Sequence, residues 1–560
     1  MTDDSAETGL AALQELSDRQ QRRKARHRLD ARSKPVDRRD LRAVGTRTGA
    51  ESAESTSPFR IYQPQPEANG QLNHRAQRPQ RAELPARIAI AMLALVMALG
   101  TLLRLTGIGN RPGWQSDEPV YTDIAGNVVL HGTLNEHIQV GLSWAPFLFH
   151  PPFYFLLLAG WFKLFGIGIP QGRMLSVLAS MLMFGLLAVL IWRLHGRVVM
   201  VLTLILVIFD GWLLYVQRVS YIENTLILIV VAALVCYERA LRRRSVAGFI
   251  LTGALLGLVV VFKHTGLYVV AAVALNWLII RRDGKMHLLM GGVAAAVIAL
   301  YVAGMIWLFD FGPHQWYIAQ SIIQVERVFG IRRSRGTLGS PLKFLHLLTH
   351  QYAIFIPSLI VATAAFVMLV RRGIECWRSR SFEPVRANSL LFSWSVAGII
   401  VFGASQLRFP QYFILVLVPM YCYFWTELFR IARTRPARLT AIVAIAATIG
   451  IAGVGSFYDR VLTHQDNALW QVKQYAHNRI PASDVIITEE EIGDEIHQQW
   501  CSVARAGACS VSATYAITYQ TYLQPIAPRG DTAFTLIMKG AKPVASFTGF
   551  KEVITVWRLH

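Results

Sequence analysis

Long apolar runs broken by short charged stretches dominate the chain from Ala86 to Ser456. A membrane-crossing helix needs about 20 predominantly apolar residues. The spacing of the runs predicts spans at roughly 87–108, 174–194, 198–216, 224–240, 246–262, 267–281, 287–308, 353–370, 389–405, 411–429 and 439–456, about eleven in all by that criterion. The segment Pro151–Phe165 is apolar but short, opens on two prolines and contains Lys163. It predicts a helix lying in the membrane surface, not crossing it. A second surface helix is expected after Asp310, where the apolar residues of GPHQWYIAQSIIQVERVFG recur at helical spacing.

The two ends of the chain follow other patterns. Residues 1–85 are rich in Arg, Gln, Pro, Ser and Ala and poor in aromatics, so they bury too little apolar surface to offset chain entropy. A disordered, basic, cytoplasmic tail is expected there. With so long a polar stretch ahead of the first run, no cleavable signal peptide is visible, and the first span is expected to serve as its own anchor. From 457 to 560 the apolar runs shorten, and Asp484–Thr488 and Ala533–Lys539 read as strands among helical stretches. The expected fold class is thus an all-α polytopic membrane protein, with residues 86–456 forming the transmembrane domain and 109–173 its first outer loop. A small α/β domain, 457–560, lies outside the membrane. No internal repeat is visible.

Composition agrees with this pattern. Of 560 residues, 53% are hydrophobic, too many for a string of soluble domains. The formal charge of +21 is not gathered on one soluble face, which argues against a nucleic-acid partner. Eleven Lys or Arg fall between Arg19 and Arg42, and shorter clusters lie at Arg193–Arg197, Arg239–Arg244, Arg281–Lys285, Arg371–Arg380 and Arg430–Arg438. Basic clusters flanking spans mark the cytoplasmic side. If Pro151–Phe165 stays at the surface, these clusters all fall inside, the N-terminus is cytoplasmic and the C-terminal domain is extracytoplasmic. If it crossed, the clusters that follow would face out.

That topology places Asp117, Glu118, His150, Arg218, Glu223, Lys263, His264 and Arg408 at the outer membrane face. In Trp114-Gln-Ser-Asp-Glu-Pro-Val-Tyr121 an acidic pair follows the first span. A carboxylate there suits proton abstraction from an attacking hydroxyl or amine, while a solvated turn opening a helix is the plainer alternative. Arg218 and Glu223 interrupt apolar segments, and ionisable residues at membrane depth are costly unless paired or facing a watery cavity. They are candidate site residues, or an internal ion pair pinning two helices. Lys263, His264 and Arg408 close or open otherwise apolar spans. They suit a phosphate leaving group, the alternative being snorkelling to headgroups. The five cysteines, Cys236, Cys376, Cys422, Cys501 and Cys509, have no zinc-ligand spacing. Cys501 and Cys509 are a candidate disulfide if their domain faces an oxidising compartment.

Five features occur in one order: Asp117-Glu118 after the first span, His150-Pro-Pro-Phe-Tyr154 with its Lys-Leu-Phe-Gly stretch, Arg173, Arg218 to Glu223, and Arg408 to Tyr412 before Pro419. Together, over roughly residues 86–430, they resemble the GT-C membrane glycosyltransferases, in the branch of the protein O-mannosyltransferases and lipid A aminoarabinose transferases. The resemblance implies a polyprenyl-phosphate sugar donor, inverting transfer to an extracytoplasmic protein, glycan or lipid, and Asp117 as catalytic carboxylate. It implies support from Glu118, a second acidic position at Glu223, and phosphate contacts from Arg218 and Arg408. His150, Arg173 and Tyr412 would join the site. Glu223 stands where the family often has Asp, and Arg408-Phe-Pro-Gln-Tyr412 where an Arg-Tyr pair is common. An Mg²⁺ or Mn²⁺ ion on Asp117 and Glu223 stays open. So do two rivals of other classes: a lipid-linked glycan transporter, expected to carry mid-span charges and repeated halves, and an inactive envelope-assembly scaffold.

Overall fold

A computed structural model describes residues 84–112, 117–135, 146–311, 315–329, 356–404, 410–432, 435–463, 468–493, 495–503, 513–521, 537–549 and 552–559. The basic N-terminal tail lies outside them, as do Arg408 and Cys509.

Helix α1, Ala86–Leu105, is followed by α2, Asp117–His131, and α3, Phe153–Phe165. Then come α4, Ile169–His195, α5, Arg197–Ile208, α6, Gly211–Val216, α7, Ile222–Arg243, and α8, Val246–Phe262. A 3₁₀ turn at His264–Gly266 leads to α9, Leu267–Ile280, α10, Gly284–Phe309, and α11, Trp316–Phe329. The bundle ends with α12, Ile356–Ser379, α13, Glu383–Arg386, α14, Ser389–Ala404, α15, Ile414–Ala432, and α16, Pro436–Phe457.

The predicted spans fall on helix, although the one expected at 353–370 runs on to Ser379. Six helices are long and apolar enough to cross a membrane: Ala86–Leu105, Ile169–His195, Ile222–Arg243, Gly284–Phe309, Gln411–Ala432 and Thr440–Phe457. Five more are apolar but shorter: Phe153–Phe165, Arg197–Ile208, Val246–Phe262, His264–Ile280 and Ser389–Gly403. The segment expected as one span at 198–216 is two helices, broken at Asp210. Asp210 caps α6 by accepting from the Leu213 amide (2.9 Å), and it also accepts from Ser358 Oγ (2.6 Å) and the Tyr421 hydroxyl (2.5 Å). One buried carboxylate therefore ties α6, α12 and α15 together, and every donor it needs is supplied. At the same break Gly211 lies against the Gly453 backbone of α16, where an added Cβ would come within 2.5 Å of the carbonyl oxygen.

The surface helix expected after Asp310 forms as α11. Asp310 receives the amides of Tyr317 (2.7 Å) and Ile318 (3.0 Å), which satisfies donors left open at a helix start. Gln320 of α11 accepts from the Leu148 amide (2.7 Å) and donates to the Pro146 carbonyl (2.9 Å), fixing the chain ahead of His150. The expected helix around Pro151–Phe165 is α3, whose Tyr154, Phe155, Leu158, Ala159 and Phe162 are buried on one side while Leu156, Leu157 and Leu164 stay exposed.

Beyond the bundle, helix α17, Ala468–Arg479, precedes strand β1, Val485–Thr488, short helix α18, Glu490–Gly493, and strand β2, Gln499–Ser502. Strands β3, Ala513–Thr521, β4, Lys542–Thr548, and β5, Glu552–Arg558, complete a sheet ordered β2-β1-β3-β5-β4. β1 runs parallel to β2 and β3, and β5 antiparallel to β3 and β4. Ala468, Leu469, Val472 and Ala476 of α17 pack on Ile486, Trp500, Ile517, Ile554 and Val556. The strand expected at Ala533–Lys539 is not seen where it is described: Met538–Gly540 is a turn leading into β4. Cys501 of β2 is disulfide-bonded, whereas Cys236, Cys376 and Cys422 are free. Helix α18 packs on α2, so this domain sits over the first helix after α1.

A candidate active site at one end of the bundle

The first turns of α2 and α7, the last residue after α8 and the 3₁₀ turn Pro410–Phe413 ahead of α15 meet at one end of the bundle. A second set of charged groups gathers at the opposite end. There Glu238 pairs with Arg193 and Arg242, and Glu427 with Arg372 and Arg430. The gathering of Asp117, Glu118, Glu223 and Lys263 at one end, apart from the clusters around Arg193, Arg242, Arg372 and Arg430, was expected from the sequence.

Asp117 opens α2 half-buried, and its Oδ2 accepts from Gln411 Nε2 at 3.0 Å. The Tyr121 hydroxyl one turn on also bonds the carboxylate. Burial pushes the Asp117 carboxyl up to about 6, against the pull of the Lys263 ammonium, which favours the charged form. A carboxyl in that range releases and accepts protons near neutrality, as a general base must.

Glu118, the next residue, has a different role. Its side chain is wholly buried and receives a two-pronged Arg173 guanidinium, Nε to Oε1 at 2.8 Å and Nη2 to Oε2 at 2.6 Å. The Ser220 amide adds a third bond to Oε1 at 2.8 Å, while Arg173 Nη1 reaches the carbonyls of Ile108 and Pro112. Fork-to-carboxylate geometry of this kind is strong and directional. Glu118 and Arg173 therefore lock the start of α2 onto α4 and onto the turn before α7. Tyr154 of α3 reaches the same turn through Ser220 Oγ at 3.0 Å. Gly172 allows the approach, since a Cβ there would meet that hydroxyl at 2.7 Å.

Glu223 is buried, and its Oε1 receives the Lys263 ammonium at 2.5 Å. Its Oε2 has no hydrogen-bond partner among the described residues. Lys263 Nζ also lies 4.7 Å from the centroid of the Tyr412 ring, a cation–π contact. Gln411 and Tyr412, adjacent in one turn, thus touch Asp117 and Lys263 respectively.

Arg218 does not make the ion pair with Glu223 that the sequence allowed. Its guanidinium donates to the backbone carbonyls of Leu103, Thr106 and Arg111 at 2.5 to 3.1 Å and lies over the Phe457 ring. Four of its five N–H donors are spent on the chain leaving α1, an arrangement that supports the loop before Asp117. Sequence reasoning lacked the signal for this, because the acceptors are backbone groups of any residue type.

His150 stands against the Tyr121 and Phe147 rings, both centroids 6.1 Å away, in an aromatic wall that Tyr154 and Phe155 continue. His264 is exposed and opens the 3₁₀ turn after Lys263. Arg408 lies outside the described residues. Sequence reasoning missed Gln411 and Tyr121 although both stand in motifs it singled out; their signal was a polar side chain beside the charged one. It also missed Arg104, buried in α1 and bonded to Gln217 Oε1 and the Ile208 carbonyl.

The Lys263 ammonium already holds Glu223 Oε1, so a divalent ion bridging Asp117 and Glu223 would share that carboxylate with a fixed cation and draw its remaining oxygens from water and substrate phosphate. Among the described residues no third His, Cys, Asp or Glu joins them.

The dolichyl-phosphate-mannose-protein mannosyltransferase family matches residues 149–307. By structure, the chain is similar to ArnT from Cupriavidus metallidurans, solved bound to undecaprenyl phosphate, at 15% identity and a TM-score of 0.55, covering 84% of this chain and 98% of that one. The fold is that of the GT-C membrane glycosyltransferases. The chain is also similar in structure to the oligosaccharyltransferase of Archaeoglobus fulgidus, solved with Zn and sulfate, at 15% identity and a TM-score of 0.52, over 75% of this chain and 67% of that one. The oligosaccharyltransferase AglB of Archaeoglobus fulgidus, solved with an inhibitory peptide and a dolichol-phosphate, gives 13% identity and a TM-score of 0.50 over 77% of this chain and 69% of that one. No curated sequence matches this chain. Within the GT-C frame the matched segment runs from the aromatic wall through Arg173, Glu223 and Lys263 to the end of α10.

Proposed function

We propose that this protein transfers a sugar from a polyprenyl-phosphate donor to an extracytoplasmic acceptor with inversion at the anomeric carbon. The observation that carries the reading is the meeting of Asp117, held by Gln411, with the Lys263–Glu223 pair at one end of an otherwise apolar bundle. Relatives of the same fold solved with undecaprenyl phosphate and with a dolichol-phosphate support the donor class.

Asp117 takes the proton of an acceptor hydroxyl or amine as that atom attacks the anomeric carbon. A new glycosidic bond forms, the bond between the anomeric carbon and the phosphate oxygen breaks, and its electron pair leaves with the polyprenyl phosphate. Lys263 supplies the cation for the charge on that phosphate. Glu223 keeps the ammonium charged and aimed, and its unpartnered Oε2 is a ready acceptor for a sugar hydroxyl. Gln411 holds the Asp117 carboxylate in line, and the buried Glu118–Arg173 lock fixes the helix that bears it.

The groups concerned gather at one bundle end and not near mid-membrane, which favours transfer over transport. On this reading the site end is extracytoplasmic and the basic end cytoplasmic. Purified protein in lipid, supplied with radiolabelled polyprenyl-phosphate sugars, is expected to move label to an acceptor and release polyprenyl phosphate. A folded protein inert toward every donor would overturn the proposal.

A further inference from the structure

At the bundle end opposite Asp117, residues on α12 and α14 and in the turn after α12 enclose a cavity of about 580 Å³. Its place follows from α15, which starts beside the Asp117 site and reaches Glu427 about 20 Å further on at the rise of an α-helix. Glu427 pairs there with Arg372, about two turns before the end of α12. Cys376, Trp377, Phe382 and Phe392 give the cavity apolar and aromatic walls, and Arg380 gives it a cation. Trp377 is 84% exposed, an unusual setting for an indole unless lipid covers it.

Of the arginines around Arg380, Arg371, Arg372, Arg386 and Arg430 pair with carboxylates, although among the described residues Arg378 does not. Among the described residues, the guanidinium of Arg380 has no such partner. Arg380 closes α12 at φ +49°, as Arg244 and Arg281 close α7 and α9, with the Ser381 amide bonded to the Cys376 carbonyl at 3.2 Å. Glycine usually fills that position, because a side chain there is strained.

We infer that this cavity binds an anionic phospholipid, its phosphate on Arg380 and an acyl chain along Trp377, Phe382 and Phe392. A lipid of net negative charge suits both halves of the site, since a soluble anion leaves the aromatic walls wet and a zwitterionic headgroup offers its phosphate with a cation that competes with Arg380. A basic residue near the membrane surface favours anionic lipid by about fivefold.

Cys376 lines the cavity and reports its occupancy directly. The full chain is reconstituted in vesicles of phosphatidylcholine alone or with phosphatidylglycerol, and N-ethylmaleimide addition to Cys376 is followed by peptide mass mapping. Phosphatidylglycerol is expected to slow that addition about fivefold, and Arg380→Gln to remove the protection while Arg380→Lys keeps most of it. Equal rates in the two lipids, or protection unchanged in Arg380→Gln, would overturn the inference. Protection by inorganic phosphate in phosphatidylcholine vesicles would overturn it as well, pointing to a soluble anion.

Discussion

Asp117 and Glu118 are neighbours in the chain with opposite surroundings. Glu118 is wholly buried with an Arg173 fork and a backbone amide on its carboxylate, whereas Asp117 has an amide side chain and a hydroxyl and is pushed up to about 6 by burial. Sugar transfer is therefore expected to rise as pH passes upward through about 6, where Asp117 loses its proton, and Asp117→Asn should lack that limb; a pH–rate profile checks it. The sign for stability is the reverse. A carboxyl whose folded value lies above its unfolded value binds more protons folded than unfolded, so its contribution falls as pH rises between the ordinary value of 3.8 and about 6. Asp117→Asn should accordingly unfold no earlier than the parent at pH above 7, a comparison that thermal unfolding makes. Arg173→Ala leaves Glu118 buried without its cation and should cost about 3–5 kcal/mol. Arg173→Lys should restore little of it, because an ammonium cannot make the two-pronged contact. The sequence displayed the acidic pair, but nothing in adjacent letters separates a base from a lock. The difference lies in Arg173, 55 residues away.

At the scale of elements, the apolar periodicity located every span-length segment, while the break between α5 and α6 escaped it. Asp210 was the available sign, a carboxylate inside an apolar run that must find donors, and the structure supplies them from two other helices. Gly211 beside it abuts the Gly453 backbone, so Gly211→Ala has no flexible side chain to displace and should destabilise by about 1–3 kcal/mol. The turn between α6 and α7 shows the other limit of sequence reading. Arg218 stood out as a charged residue at membrane depth, yet its work is to hold the carbonyls of Leu103, Thr106 and Arg111. Arg218→Met should speed hydrogen exchange over residues 103–112 and leave donor KM nearly unchanged. A large rise in KM with unchanged exchange would return Arg218 to phosphate binding.

At the scale of the molecule, the chain folds its charges to the two ends of the bundle. Asp117, Glu118 and Glu223 stand with Arg173 and Lys263 at one end, arginines clustered around Glu238 and Glu427 at the other, and the α/β domain covers the Asp117 end through α18 on α2. That segregation was legible in the sequence because helices of membrane length return the chain alternately to each face. The identity of the sugar and acceptor was not, since those are set by pocket shape across segments far apart in the chain. The account stands on Asp117 as the proton acceptor of sugar transfer. Its most direct test compares the parent with Asp117→Asn, both purified in lipid and shown folded, for transfer from one polyprenyl-phosphate sugar that the parent accepts. A loss of about 10²-fold or more in rate is expected for a positioned base. An Asp117→Asn protein that transfers at the parent's rate would contradict the account.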